Sequence, residues 1–355
     1  MKKAMIILML TVAVLAGTCL AQETSSNQWS KQKAQDWYDQ QPWLVGCNFS
    51  PSTAINQLEM WQADTFDPET IDRELGWAAS IGMNTARVYL HDLLWTQDSE
   101  GFLERIDLFL DICKKHNIRP MLVLFDSVWN PQPKLGKQPE PRPHLHNSGW
   151  VQSPHIDVLK DPKKVDMLEP YVKGVLERFK DDTRVLMWDV YNEAGHSGMG
   201  AKSLPLLNAA FEWVREVKPD QPVTAGIGLF LPQEERQEIM KRSDVVTLAD
   251  YESADQMIGL LSIASTRGRP VICTGWLERE KGSTFKDILP LFSKFGAGWY
   301  NWGLVQGRTQ LYMPWGSKEG SPMPEVWGQD LLKADGEPFD EEEIRLIKGF
   351  SFDKL

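Results

Sequence analysis

Short runs of branched, aliphatic and aromatic residues alternate along the chain with longer amphipathic stretches. The run at residues 185–191, Val-Leu-Met-Trp-Asp-Val-Tyr, ends just before Asn192, Glu193 and a glycine turn. Mostly apolar runs of about 4–8 residues bounded by Asn or Gly are typical of buried parallel strands. Eight runs of this kind predict strands, at residues 44–48, 84–90, 120–125, 185–191, 223–227, 245–248, 271–274 and 299–304.

A stretch with helical periodicity follows each predicted strand. Leu103, Ile106 and Leu110 recur at three- and four-residue spacing, and Asp67 followed by Pro68 is a helix start signal. The predicted helices cover residues 67–80, 102–115, 167–179, 204–217, 233–241, 254–266, 285–295 and 341–350. Eight strand-helix units call for parallel strands with right-handed crossovers, which close into a (β/α)₈ TIM barrel. We predict one such domain over residues 43–355.

The first 42 residues differ from the rest of the chain. Residues 1–21 have a basic start, an apolar stretch and a small-residue cleavage region ending at Ala21. This pattern predicts a signal peptide and an exported protein, whether periplasmic, cell-surface or extracellular. Cys19 keeps a lipid anchor open as an alternative. Residues 22–42 are predicted to be a polar lead with one helical stretch at 31–38, and ordered structure is expected from Trp43. No later run reaches the about 18–20 apolar residues of a transmembrane segment.

Charge and composition narrow the class of partner. The chain has 355 residues, 42% hydrophobic and 25% charged, with a formal net charge of -11. Nucleic acid binding needs Lys and Arg clusters that neutralise phosphates, and the sequence has none. The 15 tryptophans instead supply flat amphipathic rings that suit the apolar faces of sugars. A carbohydrate is therefore the expected partner.

The Cys and His residues predict neither a disulfide framework nor a metal site. Cys47, Cys113 and Cys273 follow the leader, an odd number without metal-ligand spacing, so we expect buried free thiols. His144 and His146 stand at alternate positions, but no carboxylate or Cys is spaced to complete a zinc set. We expect no metal and no cofactor.

Three connections that follow predicted strands are long: residues 50–66, 126–163 and 306–340. Loops that leave the C-terminal ends of barrel strands stand over the face where TIM barrels place their catalytic groups. Loops beyond about 12–15 residues are usually functional or disordered. The Pro-rich middle loop is expected to form a stiff lid over this face.

Polar and aromatic residues stand at the C-terminal ends of the predicted strands. Together they predict a sugar-binding cleft, in which Trp129, Trp276 and Trp302 offer ring faces to sugars. The expected substrate-binding residues are Arg87, His91, Asp126, Trp129, Asn192, Tyr251, Trp276 and Trp302.

On these residues the chain resembles the clan A glycoside hydrolases, the barrel enzymes that include cellulases, mannanases and β-galactosidases. The resemblance covers residues 43–350 and is carried by Asn192-Glu193 at the end of the fourth strand. It implies that Glu193 is the general acid/base and that Asn192 contacts the sugar 2-hydroxyl. Arg87, Tyr251 and Trp302 also match positions of the family.

Two residues depart from the family pattern. Retaining glycosidases need two carboxylates about 5–5.5 Å apart, and the resemblance implies a nucleophilic Glu at the end of strand seven, where this chain has Gly275. Ala249 replaces a His that similar sequences often have on strand six. Four explanations stay open: substrate assistance, binding without cleavage, a Gly introduced to trap substrate, or a second carboxylate at the about 6.5–9.5 Å of an inverting enzyme. Candidates for that carboxylate are Asp126, Asp250, Glu278 and Glu280.

The leading hypothesis is a secreted glycoside hydrolase that cleaves O-glycosidic bonds of a polysaccharide or oligosaccharide, with Glu193 as general acid/base. The alternative is a catalytically impaired carbohydrate-binding pseudoenzyme. An enzyme for phosphorylated or keto substrates fits less well, because no Gly-rich phosphate loop follows strands seven and eight and no lysine ends a strand. We further expect an unoccupied space between Gly275 and Glu193.

Overall fold

A computed structural model describes residues 28–227 and 231–352, with side chains to residue 350. The predicted signal peptide at residues 1–21 lies outside the described residues.

Eight parallel strands form one barrel-like sheet. Hydrogen-bonded neighbours follow the order β5-β4-β3-β2-β1-β8-β7-β6, and every observed pair is parallel. The strands are β1 Val45–Asn48, β2 Thr85–Tyr89, β3 Arg119–Val123, β4 Met187–Asp189, β5 Val223–Thr224, β6 Val246–Ala249, β7 Val271–Gly275 and β8 Gly298–Trp302. The predicted (β/α)₈ barrel is confirmed, although β4 and β5 are shorter than their apolar runs.

Helices surround the sheet and connect its strands. Over the described residues they are α1 Lys31–Asp39, α2 Gln57–Trp61, α3 Pro68–Ser80, α4 Asp92–Lys115, α5 Ile156–Leu159, α6 Glu169–Phe179, α7 Leu204–Val217, α8 Gln233–Arg242, α9 Ala254–Ser265, α10 Phe285–Phe295 and α11 Glu341–Phe352. The short α2 and α5 belong to the long loops after β1 and β3. The helices that follow successive strands are therefore α3, α4, α6, α7, α8, α9, α10 and α11.

α4 begins ten residues before the predicted helix, at Asp92. Asp98 interrupts it with a non-helical backbone, φ -163 and ψ 80. The Asp98 Oδ1 atom accepts a hydrogen bond from the Gly101 amide at 3.0 Å, as an N-cap side chain does. The predicted helix is thus the segment after this kink. The first segment was missed because Asp98 and Gly101 are both weak helix formers.

Backbone and side-chain hydrogen bonds close the barrel between β5 and β6, where the described residues form no strand ladder. The Asp244 amide donates to the Val223 carbonyl at 2.8 Å, and the Asp244 Oδ2 atom accepts from the Val223 amide at 2.8 Å. The Thr247 hydroxyl donates to the Ala225 carbonyl at 2.8 Å and lies 3.0 Å from the Thr224 hydroxyl. These groups satisfy backbone atoms that a longer β5 would have paired.

The chain before Trp43 packs against the base of the barrel. Trp37 and Tyr38 of α1 cover an apolar cluster formed by Leu44, Met121, Leu186, Met187, Val245, Ile272 and Tyr300. The Tyr38 hydroxyl donates to the Gly296 carbonyl at 2.9 Å. The expectation that ordered structure begins at residue 43 is therefore wrong, whereas α1 confirms the predicted helical stretch at 31–38. A polar sequence did not reveal that two aromatic rings would seal the base.

The three long loops join one another above the C-terminal face. The Asn56 side-chain amide of the first loop donates to the Gly149 carbonyl of the second at 2.8 Å. The Asn147 amide of the second loop donates to the Thr309 carbonyl of the third at 2.9 Å. Arg308 of the third loop pairs with Glu59 of the first at 3.0 Å. The loops therefore form one connected wall.

Cysteine placement agrees with the sequence. Cys47, Cys113 and Cys273 are buried free thiols, as expected. Among the described residues, no helix combines the length and the apolar character needed to cross a membrane.

The closure between β5 and β6 can be tested through Thr247. We expect Thr247→Val to lower the free energy of unfolding by about 1–3 kcal/mol, because the buried Ala225 carbonyl loses its donor. Urea denaturation measures the change. Thr266→Val, which removes an exposed hydroxyl bound to the Ile263 carbonyl, is the matched control and should cost less than about 0.5 kcal/mol. Equal losses in the two variants would contradict a special role for the closure.

Candidate active site

The C-terminal ends of the strands surround a cleft of about 340 Å³. Its floor comes from strand ends and its walls come from the long loops. The lining residues are Arg87, Tyr89, Val128, Trp129, His146, Asn147, Asn192, Glu193, His196, Ala249, Asp250, Tyr251, Glu252, Thr274, Gly275, Lys281, Trp302 and Trp315.

Arg87 lies at the centre of the floor and is 1% exposed. Its guanidinium donates to Asp189 Oδ2 at 2.6 and 3.1 Å, to Asn48 Oδ1 at 2.8 Å and to Asn192 Oδ1 at 2.8 Å. Burial by itself lowers the pKa of Arg87, but Tyr89 and Asp189 raise it above the ordinary value. The guanidinium therefore stays charged and holds the Asn192 side chain in one orientation.

Asp126 fixes the other end of the Asn192 amide. The Asn192 Nδ2 atom donates to Asp126 Oδ1 at 2.9 Å, and the Trp150 indole donates to Asp126 Oδ2 at 2.7 Å. Burial raises the pKa of Asp126 to about 6, against these two bonds. Asp126 does not line the cleft. The sequence predicted that Asp126 contacts the substrate, but in the structure it holds the Asn192 side chain in place.

Glu193 projects into the cleft just beyond β4. Its φ is 47, a left-handed conformation that is uncommon for residues other than Gly, Asn and Asp. Backbone strain of this kind often accompanies function. Burial raises the pKa of the Glu193 carboxyl to about 7, and the Arg87 charge opposes that rise. Such a group is protonated in part at neutral pH, as a general acid must be.

His196 is a cleft residue that the sequence reasoning missed. Its Nε2 atom lies 3.7 Å from Glu193 Oε2, and its Nδ1 atom lies 2.9 Å from the Ser197 hydroxyl. Burial lowers the pKa of His196, so the ring is neutral at neutral pH. The available signal was its spacing, three residues after Glu193 across the glycine turn at Gly195.

Tyr251 occupies the space beside Gly275 that was expected to be empty. A methyl group added at Gly275 would overlap the Tyr251 hydroxyl oxygen and lie 3.1 Å from its Cζ atom. The φ of Gly275 is outside the left-handed region, so the backbone does not require glycine there. Gly275 and Glu193 line one cleft, as expected, but the tyrosine hydroxyl fills the place directly beside Gly275.

The four candidate second carboxylates have different positions. Asp250 lines the cleft, but it is 0% exposed, and the backbone amides of Tyr251 and Glu252 act on its carboxylate. Burial raises the pKa of Asp250 to about 6. Glu278 is 1% exposed and, like the exposed Glu280, does not line the cleft.

Aromatic rings form three walls of the cleft. Trp302 stacks on Tyr89 with ring centroids 5.5 Å apart, and Trp129 is 46% exposed at the rim. Trp315, which the sequence reasoning did not single out, contacts Tyr251 at a centroid separation of 4.6 Å. It comes from the third long loop, and nothing in the local pattern places it at the cleft.

Three of the expected substrate-binding residues lie outside the cleft: Asp126, as described above, Trp276 and His91. Trp276 is 0% exposed and packs against Phe285 of α10 at a centroid separation of 4.8 Å. Successive strand residues face opposite sides, so Gly275 faces the cleft and Trp276 faces the helices. His91 is also 0% exposed, and its Nδ1 atom accepts from the Leu93 amide at 3.2 Å to cap α4.

The loop histidines are held by backbone atoms. The His146 Nδ1 atom lies 2.7 Å from the Met313 carbonyl, and burial lowers the pKa of His146 to about 4. Nδ1 of His144 contacts the Ser321 carbonyl. Within the ranges that the structure describes, no three His, Cys, Asp or Glu side chains are grouped to hold a metal ion.

No family model matches the chain, and no curated protein matches it. Solved structures do. An exo-β-1,4-mannosidase from Opitutaceae bacterium strain TAV5 has a TM-score of 0.61 at 17% identity, over 88% of this chain and 59% of that one. A glycoside hydrolase family 5 mannosidase from Rhizomucor miehei has a TM-score of 0.57 at 15% identity, over 88% and 93% of the two chains. An endo-β-1,4-mannanase from Thermotoga petrophila has a TM-score of 0.58 at 12% identity, over 89% and 77%.

Structural similarity at sequence identities of 12–17% shows that the chain shares the fold of these proteins. The chain folds as a (β/α)₈ barrel similar to the barrels of these solved structures, and it spans 59% of the length of the exo-mannosidase.

Titration of Glu193 should affect stability with a defined sign. The pKa of the Glu193 carboxyl is about 7 in the folded chain and 4.5 in the unfolded chain. Its contribution to the free energy of unfolding therefore falls as pH rises between these values. Glu193→Gln should therefore become more stable relative to the wild type between about pH 5 and pH 8, by on the order of 1–3 kcal/mol. Urea denaturation across this range measures the difference.

Glu234→Gln is the control for that titration, because it removes one negative charge from an exposed position on α8. A stability difference between Glu193→Gln and the wild type that stays constant with pH would contradict a raised pKa.

Proposed function

We propose that this protein binds a carbohydrate chain in the cleft and acts on its O-glycosidic bonds, with Glu193 as the general acid/base. The observation that carries the proposal is the Glu193 carboxyl itself, half-buried at the end of β4 with a pKa raised to about 7. Glycosidases tune their acid in this way, by burial, so that it can protonate a leaving oxygen near neutral pH.

The floor beneath Glu193 supports the same proposal. Arg87 and Asp126 bind opposite atoms of the Asn192 amide, which gives Asn192 one fixed orientation beside Glu193. A sugar hydroxyl that reached Asn192 would meet an amide that needs no reorganisation. Preorganised polar groups of this kind favour the transition state more than mobile ones do.

The attacking side of the reaction differs from a retaining pair of carboxylates. Residue 275 has no side chain, and both carboxylate oxygens of Asp126 accept hydrogen bonds. Asp250 is the candidate base for an attacking water, since it is a carboxylate that lines the cleft and has a pKa raised to about 6 by burial. We therefore propose a direct attack by water on the anomeric carbon, which would invert its configuration.

The substrate class follows from the walls of the cleft. The cleft has a volume of about 340 Å³, which is enough for a few sugar rings. Flat aromatic rings surround it, from Trp129, Trp302 and Trp315. The similar solved structures are described as β-1,4-mannosidases and mannanases. We propose β-linked hexose chains, with β-1,4-mannan fragments as the first substrates to test.

A second function is favoured by one observation, the Tyr251 hydroxyl beside Gly275. A cleft that keeps its acid and its aromatic walls but offers no attacking group would bind a glycan without cleaving it. This catalytically impaired binding protein is the second candidate.

Export is part of the proposal. The basic start, apolar stretch and small-residue cleavage region of residues 1–21 support a signal peptide. A polysaccharide outside the cell is the substrate that such a leader would bring within reach, and Cys19 keeps lipid attachment open.

The test is a panel of β-linked oligosaccharides in which binding and product release are measured on the same samples. Glu193→Gln should lower any turnover by roughly 10²–10⁴-fold for substrates with a poor leaving group, because general acid catalysis contributes this much. Binding, followed by tryptophan fluorescence, should be largely kept since Gln preserves the shape. Glu234→Gln on α8 is the matched control.

The outcomes separate the two functions. Turnover that depends on Glu193 supports hydrolysis, and binding without turnover in the wild type supports the binding protein. Turnover that survives Glu193→Gln would remove Glu193 from the mechanism, and a panel without binding would refute both functions.

A further inference from the structure

Gly275, at the end of β7, is in close contact with residues 249–251 at and after the end of β6. A Cβ atom at Gly275 would overlap the Tyr251 hydroxyl oxygen and lie 3.4 Å from the Ala249 Cβ atom. The Asp250 amide donates to the Gly275 carbonyl at 3.0 Å, which holds the two chain segments side by side. Since Gly275 has no left-handed φ, the tip of Tyr251 is the main obstacle to a larger side chain at residue 275.

The Tyr251 ring is held in this position from its other face. Trp315 packs against it with ring centroids 4.6 Å apart, and the Lys281 ammonium lies 5.1 Å from the centroid of Trp315. The pairing of β6 with β7 shifts register between Leu248 and Ala249, just before Tyr251. A shift of this kind re-aims the side chains that follow it.

The Tyr251 hydroxyl also faces the same space as Glu193. Both residues line the cleft, and the pKa of Tyr251 is raised well above its ordinary value by burial and then by the Glu193 charge. A phenol with a raised pKa stays protonated and is a poor nucleophile. The Tyr251 hydroxyl beside Gly275 therefore stays protonated.

We propose that Tyr251 closes the attacking side of this site to groups larger than water: its hydroxyl fills the place from which a side chain at residue 275 would reach the anomeric carbon. This inference rests on the proposed function, because it assumes that a glycoside binds beside Glu193. It makes Tyr251 the residue that separates glycan binding from rapid cleavage, and it assigns the small space at Gly275 to a monovalent anion once the hydroxyl is removed.

Azide is the entering anion in the reaction expected of the Tyr251 variants. The azide nitrogen lone pair forms a bond to the anomeric carbon as the bond from that carbon to the leaving oxygen breaks. The leaving oxygen keeps the bonding electrons and takes the proton of Glu193. The product is a glycosyl azide of inverted anomeric configuration, and Glu193 regains its proton from water.

The first test is a double-mutant cycle that needs no substrate. Gly275→Ala, Tyr251→Phe and the double variant are compared with the wild type by urea denaturation. Gly275→Ala should lower the denaturation midpoint in the wild-type background, since the methyl overlaps the hydroxyl, and should lower it less in the Tyr251→Phe background. Equal shifts in the two backgrounds would overturn the proposal whatever the protein binds.

The second test adds azide to an activated aryl β-glycoside. Azide should accelerate aryl release by Tyr251→Phe or by the wider Tyr251→Ala by about tenfold or more, equal to about 1.4 kcal/mol. Azide should leave the rate of aryl release by the wild type nearly unchanged. The control variant Tyr38→Phe, which loses a hydroxyl at the base of the barrel, should also show no acceleration. Formation of the glycosyl azide is followed by mass spectrometry, and binding by tryptophan fluorescence.

The results separate this inference from the function on which it rests. If the glycoside binds and azide accelerates the wild type as strongly as the Tyr251 variants, the closing role is refuted while the proposed function stands. If it binds and azide accelerates none of the proteins, the closing role is refuted too. If no protein binds the glycoside, the proposed function fails, and the double-mutant cycle alone decides whether Tyr251 fills the space at Gly275.

Discussion

The buried ion pair between Arg87 and Asp189 is the interaction on which the site depends. Its shortest N–O distance is 2.6 Å, and the two side chains are 2% and 0% exposed. Neither charge could be buried alone, because an unpaired ion in the interior is very costly. The remaining donors of Arg87 extend the pair to Asn48 and Asn192, so one guanidinium ties the ends of β1, β2 and β4 together. The positive charge also moderates the pKa of Glu193 that burial has raised.

The loops turn this floor into an enclosed site. They hydrogen-bond to one another rather than standing separately above the barrel, as the contact between Asn147 and Thr309 illustrates. The connected wall places Trp129 and Trp315 around the cleft and contributes to the burial of Glu193. Low water content strengthens every electrostatic effect in the cleft. The raised pKa of Glu193 is therefore a property of the loops as much as of β4.

The residue at the end of β7 limits what can be inferred about chemistry from the fold. The barrel is similar to those of mannosidases and mannanases, yet a fold does not carry an activity by itself. At residue 275 a glycine faces a tyrosine hydroxyl, so a group that stays protonated occupies the place of a side chain there. Under the proposed function, the fate of a glycosidic bond therefore depends on these few atoms and not on the barrel.

The sequence by itself determined the strands, most of the helices and the position of Asn192 and Glu193, because apolar periodicity and strand ends are local properties. Tertiary structure decided the rest. Strand alternation places Trp276 among the helices, whereas Trp315 reaches the cleft from a loop whose path depends on distant hydrogen bonds. The tip of Tyr251 meets Gly275 where β6 and β7 are paired with a register shift. Contacts between residues far apart in sequence leave no periodic signal, so they became visible only in the folded chain.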